Sequence, residues 1–158
     1  MTTSIPSLYT AKTVQEEKIL NLDLSMIKMK IMDSEDGLGW TSLQCELAEH
    51  EYKKFLLLIS KNPQAGIVPT KIMDKFWHFH ILDTRKYYKD CNDLFGSLIH
   101  HFPYLGMRGE EDKLNLITAF AKTKELYQNT FGEVMDKEFA FCDSGGGNCV
   151  SQCNSDDK

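Results

Sequence analysis

Apolar positions in this chain return every three or four residues, and no stretch alternates polar and apolar long enough to read as a strand. From Glu16 onward, Ile19, Leu20, Leu22, Leu24, Ile27 and Ile31 set a mixed helical period. Asp23 or Ser25 is placed to cap a second short helix carrying Met26 to Met32. The polar, glycine-bearing run Asp33–Gly39 then breaks the pattern. Thr41 with Gln44 three residues on forms a capping box, predicting a helix from about Trp40 to about Lys61 that Asn62-Pro63 stops. Leu43, Leu47, Phe55, Leu58 and Ile59 give it a broad apolar face.

Thr70 is a plausible cap for the next helix, predicted to run unbroken to Phe95 and to end at Gly96. Ile72, Met73, Phe76, Trp77, Phe79, Ile81 and Leu82 make its first half apolar nearly all round, which predicts burial on several sides. After Pro103, a loop leads into the acidic turn Glu110-Glu111-Asp112, matched to the positive end of a helix dipole. Leu114, Ile117, Phe120, Ala121, Lys124, Tyr127 and Phe131 carry that last helix to Gly132. The predicted fold is all-α: a compact domain of about four to five helices around a buried central helix at about residues 70–95. Residues 1–15 read as a loose leader and 16–141 as a single domain. Residues 142–158, with Gly145-Gly146-Gly147, read as a flexible tail unable to bury enough apolar surface to fold.

Composition narrows the function classes. A net charge of -5 with no Lys/Arg run offers no general attraction to nucleic acid or anionic lipid, so neither is an expected partner. No apolar run approaches the roughly 20 residues that span a bilayer, and the N-terminus lacks a secretory pattern. Five cysteines, Cys45, Cys91, Cys142, Cys149 and Cys153, fit reduced thiols in a cytoplasmic setting better than a disulfide framework. Walker, GxGxxG, HExxH and GxSxG motifs are absent.

The chemistry-bearing residues are concentrated. Four of the five histidines, His78, His80, His100 and His101, fall between positions 78 and 101. On one helix, His78 and His80 sit roughly 200° apart and cannot grip one ion together. His78 shares a face with Asp74, and His80 with Asp83, Tyr87 and Cys91. With a continuous helix to Phe95, His80 lies about 22 Å back along it, whereas the extended segment to His100 or His101 reaches at most about 20 Å. That places those two near the Tyr87–Cys91 level and leaves His78 scarcely within reach. The alternative for each histidine is a core residue hydrogen-bonded to a carboxylate or carbonyl. His50, beside Glu49 and Glu51, either faces the central helix or is solvated.

The run Asp74-Lys75-Phe76-Trp77-His78-Phe79-His80-Ile81-Leu82-Asp83-Thr84-Arg85-Lys86-Tyr87 is followed by Asp90-Cys91, Phe95-Gly96 and His100-His101-Phe102-Pro103. Together with Ile67–Thr70 and Gly109–Lys113, it resembles the glycine-rich domain-containing protein-like family over roughly Leu22 to Glu133. That family has small bacterial members and a related segment in plant glycine-rich domain proteins. The resemblance brings no reaction with it. The plant proteins' association with RNA does not carry over to a shorter, acidic chain.

Two readings follow. In the first, a His/Asp/Cys-lined pocket binds a transition metal (zinc, copper or iron), with His80, Asp83, Tyr87, Cys91, His100 and His101 as ligands or near neighbours. His78, Asp74 and His50 stand behind them. In the second, a metal-free helical module keeps its histidines as core residues and recruits a protein partner through the tail. A metal-free acid/base role for His80 with Asp83 is a weaker third. No catalytic residue or substrate is named by any motif.

Overall fold

The computed structural model describes residues 9–135, and it is all-α. Six helices follow one another: α1 (Val14–Leu20), α2 (Ser25–Met32), α3 (Ser42–Lys61), α4 (Lys71–Leu82), α5 (Thr84–Phe95) and α6 (Glu110–Phe131). Among the described residues there is no strand. No helix there is long and apolar enough to cross a membrane. The tail expected over 142–158 lies outside the described residues.

Local signals place most helix ends. The Thr41 hydroxyl accepts from the Gln44 amide at 3.1 Å while the Gln44 side chain accepts from the Thr41 amide at 2.8 Å, the reciprocal cap read from sequence. The Thr70 hydroxyl accepts from the Met73 amide at 3.3 Å. Asp23, rather than Ser25, supplies the polar group at the start of α2, its carboxylate accepting from the Ser25 amide at 3.0 Å. Gly96 and Gly132 close α5 and α6 in the left-handed region, at φ 74° and 69°.

The core is organised on α3, which packs against α1, α2, α4 and α6. Tyr52, Phe55, Leu57 and Leu58 are fully buried there, meeting Ile19 of α1, Ile31 of α2 and Phe76 of α4. Tyr52 stacks on Phe76 with ring centroids 5.0 Å apart. At about 1.5–3 kcal/mol per large apolar side chain, this contiguous cluster supplies the main drive to fold.

The expected single helix over about 70–95 is corrected: it is two helices meeting at Asp83. No glycine or proline marks the break. Asp83 leaves helical geometry at ψ 77° and its carboxylate accepts from the Lys86 amide at 3.3 Å, so it caps α5 instead of continuing α4. The chain turns there, and α5 contacts α4. The burial on several sides expected for the first half is narrowed to one broad face, that of Ile72, Met73, Phe76, Trp77 and His80. Phe79 and Ile81 are half-buried and Leu82 is 74% exposed, because the turn sits at the surface. The segment after α5 is tied to α5 by the Tyr87 hydroxyl, which donates to the Ile99 carbonyl, and reaches α4 where His101 meets Asp74 and His78.

Candidate metal centre

Asp74 and His78 lie one turn apart on α4, so their side chains share a face. The turn at Asp83 brings residue 101 back to the same face. His101 Nε2 lies 2.9 Å from His78 Nε2 and 2.8 Å from Asp74 Oδ1. His78 Nε2 lies 3.2 Å from Asp74 Oδ2. Among the described residues this trio alone gathers three or more ligand-type side chains around one point. The His78 side chain is 50% exposed and that of His101 17%, so the cluster sits at the surface with one side turned to solvent.

With Asp74 ionised, no placement of hydrogens satisfies all three contacts of this triangle. An aspartate carboxylate only accepts, so bonding both imidazoles to Asp74 requires a hydrogen on each Nε2. Two N–H groups would then face each other across the 2.9 Å contact. Removing either hydrogen leaves a lone pair aimed at the carboxylate. A cation between the three groups relieves every contact at once, since neutral imidazole and carboxylate are both metal donors.

Trp77 backs the site. Its ring is tilted 36° on that of His101, with centroids 4.4 Å apart, and its Nε1–H donates to the Tyr87 hydroxyl at 3.0 Å. Tyr87 in turn holds Ile99, two residues before His101. The position of His101 is therefore fixed by contacts from both α4 and α5. Burial, foremost, drives the Tyr87 hydroxyl far above the usual tyrosine range, which keeps it a proton donor.

His80 faces the other way, as the helical angle predicts. It is 2% exposed, and both ring nitrogens are engaged. Nε2 donates to Asp90 at 2.8 Å, and Nδ1 accepts from the Tyr52 hydroxyl at 2.7 Å. Burial pushes the His80 pKa below its ordinary value, against the opposing pull of Asp90, so the neutral ring is favoured. Lys86 Nζ, 3.1 Å from Asp90, balances the carboxylate.

The remaining candidates are dispersed. Asp83 is an exposed cap. Tyr87 is bonded to Trp77 and Ile99, and Cys91 is a buried free thiol whose pKa burial raises. His100 is exposed. His50 is half-buried towards Lys54 and Glu133, away from the triangle, and burial lowers its pKa. The structure thus joins His101 to Asp74 and His78, and brings none of His80, Asp83, Cys91, His100 or His50 to that point. The reach estimate separating His101 from His78 is corrected, because it assumed an unbroken helix. Tyr52 and Asp90 escape sequence reasoning: ten positions separate His80 from Asp90, a spacing with no meaning on one helix.

The sequence profile of the UCP032817-like family matches residues 16–125, more than half of the chain. The chain belongs to that family. The region matched by the UCP032817-like profile holds Asp74, His78 and His101, and most of α6. Glycine-rich domain-containing protein 1 of Arabidopsis thaliana is 36% identical over 85 residues, covering 51% of this chain and 10% of the plant protein. The chain thus spans about a tenth of the length of that relative. No solved structure matches it.

Proposed function

We propose that this protein binds one divalent transition-metal ion through Asp74, His78 and His101. The observation that carries the reading is the triangle itself: His101 Nε2 lies 2.9 Å from His78 Nε2 and 2.8 Å from Asp74 Oδ1, and His78 Nε2 lies 3.2 Å from the other Asp74 oxygen, three contacts that no placement of hydrogens satisfies together while Asp74 is ionised. Each ligand is positioned by ordered structure. Asp74 and His78 ride on a capped helix, and His101 packs against Trp77 and is anchored through Tyr87 and Ile99. Two imidazoles and a carboxylate without thiolate suit zinc or iron(II) better than copper(I). The buried free thiols Cys45 and Cys91 are consistent with a reducing, cytoplasmic setting.

Isothermal titration of untagged protein with zinc tests this. One ion per chain is expected, and His101→Ala or Asp74→Asn should weaken binding at least about 10-fold with an unchanged helical spectrum, as loss of a ligand implies. Zinc binding of unchanged strength in both variants would remove the reading.

A further inference from the structure

Resting on the metal reading above, we infer that Asp74, His78 and His101 form an open facial set for iron(II), leaving outward coordination positions for a dioxygen-type diatomic ligand. Three observations support it. First, a metal–ligand bond of about 2.1 Å gives ligand–ligand edges of about 3.0 Å at right angles and about 3.4 Å at tetrahedral angles. The two edges that meet at His101 Nε2, 2.9 Å to His78 Nε2 and 2.8 Å to Asp74 Oδ1, lie nearer the right-angled case than the tetrahedral one. Second, among the described residues no fourth histidine, cysteine or carboxylate joins the cluster, whereas a closed structural zinc site takes four protein ligands. Third, the donors are two imidazoles and one carboxylate, and half of the His78 side chain is open to solvent. Two histidines and a carboxylate with vacant positions are the donor set of non-haem iron(II) centres that take up oxygen.

Trp77 fits this geometry as a positioning residue. Packed against His101 at a 36° tilt and itself buried, it occupies that side of the imidazole, so no added ligand can approach from there. Binding of a diatomic there needs only displacement of metal-bound water, with no bond broken in the protein.

The test loads untagged protein with iron(II) under anaerobic conditions, measures stoichiometry, then adds nitric oxide as the probe and records the electron paramagnetic resonance spectrum. One iron per chain and a high-spin iron–nitrosyl signal are expected, both lost in His101→Ala while the helical spectrum is retained. Iron bound at one per chain without a nitrosyl signal overturns the open-site inference and leaves the metal reading standing. Zinc bound at the triangle with no iron uptake does the same. Absence of both metals from the triangle overturns the metal reading itself.

Discussion

Replacing His80 by alanine separates a structural histidine from a ligand. The side chain is 2% exposed and bridges Tyr52 to Asp90 by bonds of 2.7 and 2.8 Å. Its removal strands the Tyr52 hydroxyl, which is fully buried, at a cost of about 1–3 kcal/mol. Asp90 keeps Lys86 but loses its other partner, adding about 1 kcal/mol. The cavity left beside Tyr52 and Tyr87, whose rings lie 5.7 and 5.0 Å from that of His80, adds about 1–2 kcal/mol more. His80→Ala should therefore destabilise by about 3–6 kcal/mol, or roughly 6–24 °C in Tm at about 2–4 °C per kcal/mol. Urea denaturation gives the free energy, and zinc titration below the melting range gives affinity. Tyr52→Phe in the same background supplies a double-mutant cycle, with an expected coupling of about 0.5–3 kcal/mol. A loss under about 1 kcal/mol, or zinc affinity falling while the fold keeps its stability, would refute the structural assignment.

Trp77→Phe preserves a ring against His101 but deletes the donor to Tyr87, so metal affinity should fall about 10-fold in titration, as for other outer-shell changes. Gly37→Ala should cost several kcal/mol in urea denaturation, roughly that of severe overpacking, since a Cβ there would stand 2.0 Å from the Lys30 carbonyl oxygen. Arg108, through its side-chain hydrogen bonds, holds the Asp112 carboxyl below the usual range, with the Gly106 and Arg108 amides adding to it. A depressed folded pKa gives stability that is present above the ordinary carboxylate value of about 3.9 and is lost as pH falls through the folded value. Asp112→Asn should accordingly flatten the acid limb of a stability–pH curve below about pH 4, and an unchanged limb would contradict the assignment.

Much of the fold was legible because its signals are local. The Thr41–Gln44 box, the Thr70 cap, Gly96 and Gly132 each act within one turn, and each appears where its residue type requires. The opposition of His78 and His80 was equally legible, since it depends only on helical angle. The partners of these histidines were not. They depend on the turn at Asp83, where a capping carboxylate ends a helix in a run free of glycine and proline. With the chain turned there, His101 lies beside Asp74 and His78, and Asp90 reaches His80. A one-residue cap thus decides which ligand-type side chains meet, and spacing along a continuous helix points to the wrong neighbours.

The most direct measurement is anomalous diffraction from crystals of metal-loaded protein, collected at the absorption edge of the metal. The account predicts a peak within about 2.0–2.2 Å of His78 Nε2, His101 Nε2 and an Asp74 oxygen, the usual length of such bonds. A loaded crystal with no peak there, or with its peak at other side chains, would contradict it.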